Sequence, residues 1–178
     1  MNFTQLIGQY VLGYLPTEQL PQVAYKGLEE GFDSPSLVIL AGIEKGENFF
    51  IIEKYYKAAL SELHMSIPDK KRAALEYAII IAQEIIDRKK NVFEGVGEII
   101  HKVIRRGDFE SYTTLYVYDG IFFERVYGLY YEYDELENDL MHVSGDKSRE
   151  QLILETQNDL LEELKKWKIK IEASNLML

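Results

Sequence analysis

Apolar residues recur three and four positions apart along most of this chain, the period of an amphipathic helix rather than the alternation of a strand. Phe3, Leu6, Ile7, Tyr10, Val11 and Tyr14 form the first stripe, and Pro16 ends it. Leu20, Val23, Ala24, Gly27 and Leu28 form the second. Thr17 is placed to cap that helix, with Pro21 in the first turn, where backbone amides have no helical partner. In the junction that follows, Gly31 stands where a left-handed residue ends a helix, Asp33 or Ser34 can cap the next one, and Pro35 fits its first position. Leu37, Val38, Leu40, Ala41 and Ile43 make this short helix apolar on most sides, which predicts burial, and Gly42 and Gly46 mark its end.

Asn48 can cap a fourth helix with Phe49, Ile52, Tyr56, Ala59, Leu60 and Leu63 inward. A loop from His64 to Lys70 holds Pro68, and Asp69 can cap a fifth helix carrying Ala73, Ala74, Tyr77, Ala78, Ile80, Ile81 and Ile85. Arg88, Lys89 and Lys90 close it, favourably for the helix dipole. Residues 92–105 form a sixth, with Phe93, Val96, Ile99, Ile100 and Val103. A last long helix runs from about Ser148 to Trp167, with Ile153, Leu160, Leu161 and Leu164 inward and a basic tail, Lys165 to Lys170. The pattern predicts an all-α fold of seven to eight helices in one domain spanning 1–178, as an irregular bundle or stacked helical hairpins.

Residues 109–139 are the ambiguous part. They hold ten aromatics and eight carboxylates against one arginine, Arg125, so the segment carries −7 of the formal −10. Asp119-Gly120 between β-branched and aromatic residues signals a small β-hairpin. Phe123, Val126, Tyr127 and Tyr130 nevertheless keep helical spacing, as Tyr112, Leu115 and Tyr116 do before the break. The expectation is two helices broken at Asp119-Gly120, with the hairpin as the alternative. Phe123, Tyr127 and Tyr130 then face the core, while Glu124, Tyr131 and Glu135 share another face with Glu132 and Asp139 beside it. Tyr130, Tyr131 and Tyr133 cannot all point inward on one helix.

Composition narrows the chemistry. With 178 residues the chain can bury a core. The absence of cysteine excludes disulfides, thiolate metal sites and a cysteine nucleophile, and fits a reducing, cytoplasmic setting. No run approaches the ~18 apolar residues that suggest a membrane span. Residues 111–178 carry 14 acids against 7 bases, which repels phosphate and argues against nucleic acid while attracting a basic protein. No glycine pattern cradles a phosphate, and no nucleophile neighbours His64, His101 or His142 in sequence. Glu98 and His101 form an E-x-x-H, half of a di-iron motif, and Asp139 to His142 is the nearest second candidate. No cofactor and no catalytic residue is expected.

The stretch LPQVAYKGLEEGFDSPSLVILAG, residues 20–42, resembles small all-helical bacterial proteins of unassigned function, some of them similar to toxin-associated immunity proteins. Leu20, Pro21, Ala24, Leu28, Gly31, Asp33, Ser34, Leu37, Leu40, Ala41 and Gly42 carry the resemblance, which covers about one eighth of the chain. It implies a helical fold and no catalytic residue. Together with the charge pattern it leads to an expected role as an immunity-type inhibitor that binds a basic toxin or effector. The contacts expected are Tyr131, Glu132, Tyr133, Asp134, Glu135, Glu137 and Asp139. The alternatives are a helical scaffold, including a homodimer built on the tyrosine patch, and a metal protein using Glu98 and His101.

Overall fold

The computed structural model describes residues 1–109, 114–141 and 146–177, and these are helices joined by turns, with no strand among them. Tyr112 and His142, named above, lie outside the described residues. The elements are α1 (Phe3–Val11), α2 (Leu20–Glu29), α3 (Pro35–Ala41), α4 (Phe49–Glu62), α5 (Lys70–Ile86), α6 (Val92–Glu98), α7 (Arg105–Gly107), α8 (Glu124–Glu137) and α9 (Arg149–Glu172). A π-helical segment, Ile99–Ile104, joins α6 to α7, so these three make one rod. None of the helices is long and apolar enough to cross a membrane, among the described residues. The chain divides into two compact units, Met1–Ala73 and Ala74–Leu178, with the boundary inside α5.

In the first unit, Phe3, Ile7, Leu20, Val23, Leu37, Leu40, Ile52, Tyr56 and Leu60 are buried together. The junction after α2 forms as its residues dictate. Gly31 is left-handed (φ +88°), and the Phe32 amide donates back to the Gly27 carbonyl at 3.1 Å. Ser34, not Asp33, caps α3, its Oγ accepting from the Leu37 amide at 3.1 Å, with Pro35 following. The Glu62 carboxylate then reaches back from α4 to the Ser36 amide (2.9 Å) and hydroxyl (2.6 Å), an anion at a helix N-terminus. Asn48 caps α4 and Asp69 caps α5 through the amides of Lys71 and Arg72.

Four expectations need correction here. α1 stops at Val11, before Tyr14, because Gly13 turns left-handed (φ +74°) and breaks the ladder ahead of Pro16. Thr17 opens a short 3₁₀ turn, Thr17–Gln19, and caps nothing with its side chain. α3 is only half buried: Leu37 and Leu40 face in, while Val38 and Ile39 are exposed. One stripe of a two-turn helix meets its neighbours, and apolar residues off that stripe stay in water. Phe49 is likewise exposed, being the first residue of α4 and a full turn short of the buried Ile52.

The second unit is built on α8 and α9, packed as an antiparallel pair. The start of α9 lies at the end of α8: Arg149 donates to the carbonyls of Leu136 (2.8 Å) and Met141 (3.1 Å) and pairs with Asp139. The end of α9 lies at the start of α8: Trp167 Nε1 donates to the Ile121 carbonyl at 2.9 Å, and its ring meets Phe123 edge-on at 5.0 Å. Ser148 caps α9 with Gln151 in a reciprocal capping box. Val96, Ile99, Ile100, Val103 and Ile104 on the rod, with Phe123, Val126, Leu129, Leu160, Leu164 and Ile171, are buried.

Among the described residues, neither the hairpin at Asp119-Gly120 nor a helix before it forms. Residues 114–118 are irregular and lead into a 3₁₀ turn, Asp119–Ile121. A type I′ hairpin turn needs positive φ at its two central residues. Here the left-handed residues are Tyr118 (φ +63°) and Phe122 (φ +59°), which flank the turn. Leu115 and Tyr116, expected on a helix, are exposed.

Candidate functional site

α8 carries the residues expected to bind a partner, and its geometry sorts them onto two faces. At 3.6 residues per turn, Tyr130, Tyr133, Asp134 and Glu137 fall on one side and Tyr131, Glu132 and Glu135 on the other, while Asp139 lies past the end of α8 in left-handed conformation (φ +58°). The helix begins after Phe123 with no side-chain cap and ends near Asn138, whose side-chain amide donates to the Asp134 carbonyl.

The first side turns toward α6. Phe93 stacks on Tyr130 (centroids 4.7 Å, planes 11° apart) and leans on Tyr133 (4.6 Å, 32°). Tyr130 is buried because Gly97 lets it in: a methyl group at Gly97 would stand 2.9 Å from the Tyr130 hydroxyl. Burial raises the pKa of Tyr130, and the nearby charge of Asp134 adds to the rise. Tyr133 donates to Glu137 at 3.0 Å; burial raises its pKa, and that bond raises it further. Phe93, Glu94, Gly97, Glu98, His101, Lys102 and Tyr130 line an open groove of about 420 Å³ between α6, the π segment and α8.

His101 sits in the π segment with Nε2 3.5 Å from the Tyr130 hydroxyl, a long contact that leaves both atoms polar capacity. Its pKa is lowered, first by desolvation and then by Arg105, against an opposing pull from Asp134. Glu98 faces Lys90 instead, at 2.6 Å. The E-x-x-H pair is therefore divided between two partners, and among the described residues no group of three carboxylates or histidines is placed to hold a metal.

The second side of α8 is the outward one. Tyr131 is half-buried, packed against Tyr127 (4.7 Å) and edge-on to Tyr130 (5.2 Å). Burial, and the hydrogen bond the Tyr127 hydroxyl donates to Tyr131, push that hydroxyl up to about 12. Glu132 and Glu135 are exposed and form no ion pair among the described residues, whereas Asp139 is held by Arg149 and Asp134 takes the Asn138 amide at 3.0 Å. The seven residues are thus divided: Glu132 and Glu135 form an outer acidic surface, while Tyr133 leans on Phe93 of α6 and donates to Glu137.

One feature had no clear signal in the sequence. The Asp119 carboxylate gathers the loop before it, accepting from the Thr114 amide (2.8 Å) and hydroxyl (2.5 Å) and from the amides of Leu115 (2.8 Å) and Tyr116 (3.1 Å). Those bonds, led by the Thr114 hydroxyl, hold its pKa far below the usual carboxylate range. Read along the chain, Asp119 looked like half of an Asp-Gly turn. No protein-family model, curated protein or solved structure matches this chain.

Proposed function

We propose that this chain is a protein-binding domain that captures a basic protein on the outer face of α8, most concretely as an immunity-type inhibitor of a basic toxin or effector. The observation that carries this reading is the pair of exposed, unpaired carboxylates, Glu132 and Glu135, set beside Tyr131, whose ring is already held by Tyr127 and Tyr130. A tyrosine ordered before binding loses little rotamer freedom when a partner covers it, so its contact area converts efficiently into affinity. The carboxylates have no internal cation to give up and are free to pair with lysine or arginine. The formal −10 adds long-range attraction, which can raise association rates roughly 10- to 1,000-fold at low salt. Inhibition follows by occlusion of the basic surface. The lack of cysteine agrees with a bacterial cytoplasmic setting.

The test compares the wild type with a Glu132→Gln/Glu135→Gln variant as baits for affinity purification from the native cell at low salt. A basic protein should be retained one-to-one by the wild type and lost from the variant. Equal retention by both baits, or no basic partner, would sink the reading. The metal alternative is not favoured, because Glu98 is engaged by Lys90.

A further inference from the structure

Leu115, Tyr116 and Val117 are 86%, 68% and 45% exposed, three apolar residues in a row on a loop that is not slack. Asp119 grips the backbone beneath them with four hydrogen bonds. Two aromatic residues in left-handed conformation, Tyr118 and Phe122, bracket the turn, an arrangement L-residues with large side chains adopt only where the surroundings enforce it. Its C-terminal end is anchored. Tyr118 is buried and edge-on to Tyr127 at 5.3 Å, and Trp167 holds the Ile121 carbonyl. A rigid loop that turns its apolar side chains outward is suited to insertion into a cleft.

The charge around its base says what kind. The Lys170 ammonium lies 4.1 Å from the centre of the Phe122 ring, and Arg125 is exposed on the first turn of α8; neither forms an ion pair among the described residues. The charge of Asp119 is already taken up by its four donors. Two such loops meeting tip to tip would bring these cations together. The α6–α8 groove is the complementary surface on the same chain. The stacked rings of Phe93 and Tyr130 line it, Glu94 beside them is exposed and forms no ion pair among the described residues, and the charge of Asp134 on α8 is felt at Tyr130. Loop and groove adjoin through a continuous chain of rings, Tyr118, Tyr127, Tyr131, Tyr130 and Phe93, at 5.3, 4.7, 5.2 and 4.7 Å.

We infer that the occupant of this groove is the Leu115–Val117 loop of a second copy of the chain, exchanged reciprocally in a two-fold dimer. Each contact is then made twice, the closed arrangement that isologous dimers use. Tyr116 and Leu115 settle over the edge of the Phe93–Tyr130 stack, beside Gly97 and His101, and Lys170 and Arg125 approach Glu94 and Asp134. The contact is small, so the dimer is weak and depends on concentration. This goes beyond the partner-binding role and does not rest on it, since Glu132 and Glu135 lie on the other side of α8.

Sedimentation equilibrium of the purified protein tests it. The mass should rise from 20.7 kDa toward twice that value as concentration increases from micromolar to millimolar. A Leu115→Ser/Tyr116→Ser variant and a Glu94→Lys/Asp134→Lys variant should each stay monomeric with wild-type circular dichroism. Mixed together they should recover a one-to-one dimer, because one intact loop then meets one intact groove. A wild type that stays monomeric throughout would overturn the inference, and so would a dimer untouched by the loop variant or a mixture that stays monomeric. Loop-dependent co-sedimentation with phosphatidylcholine–phosphatidylglycerol vesicles, without dimerisation, would overturn it in favour of a membrane role.

Discussion

The turn at residues 27–35 and the turn at residues 118–122 each redirect the chain, but they are held by different means. In the first, the residues that make the turn are local, and Glu62 of α4 adds only a bond to Ser36 just beyond it. Gly31 supplies the left-handed residue, Ser34 the cap and Pro35 the start of α3, and the bonds that close the turn span five residues or fewer. In the second, Tyr118 and Phe122 do what glycine would do more easily. They are kept there by Trp167, 46 positions from the carbonyl it holds, and by the packing of Phe123 and Tyr127. A turn made of turn residues would form in a fragment. A turn imposed on aromatic residues forms only when the rest of its unit is folded.

That contrast can be broken most forcefully at Trp167. Replacing this buried ring with alanine should cost about 3–5 kcal/mol, read as a lower urea midpoint. Amides at Ile121, Phe122 and Phe123 should lose hydrogen-exchange protection first. If they keep it while the rest of the second unit weakens, the turn is locally encoded after all.

The complementary cut is at the first turn. Ser34→Ala should cost about 1 kcal/mol, the usual worth of an N-cap, and the loss of protection should stay around Leu37. A spread of exchange through the whole first unit would show that this turn, too, depends on distant packing.

The smallest global effect, and the sharpest local one, is expected at Asp119. Its folded pKa lies below its unfolded value, so the ordering it contributes is fully present above an unfolded pKa near 3.8. That contribution fades as pH falls through the folded value. Protection at Leu115 and Tyr116 should therefore be high at neutral pH and decline only in strong acid, whereas Asp119→Asn should lower it at neutral pH and flatten its pH dependence. An identical profile in both proteins would show that the carboxylate does not hold the loop.

Much of the fold was legible because helices write their signals locally. The stripes of α2, α4, α5 and α9, the caps Ser34, Asn48 and Asp69, and Gly31 all follow from spacing and side-chain chemistry within a few residues. The candidate site was legible in part. The helical spacing already set Tyr131, Glu132, Glu135 and Asp139 on a face apart from Tyr130. It could not show that Phe93 and Gly97 of α6 would receive Tyr130, or that Arg149 would claim Asp139. Those pairings join residues that share no local pattern.

The sequence by itself determined that this is an all-helical chain with a dense acidic, aromatic segment near α8, since composition and a 3.6-residue period require no knowledge of neighbours. Only the tertiary structure decided which of those aromatics are core and which are surface. The same alternation of tyrosine, leucine and acid suits a helix, a hairpin or a loop. Long-range partners chose among them: Trp167 for the turn, Asp119 for the exposed loop, and Gly97 for the one tyrosine whose hydroxyl needed its room.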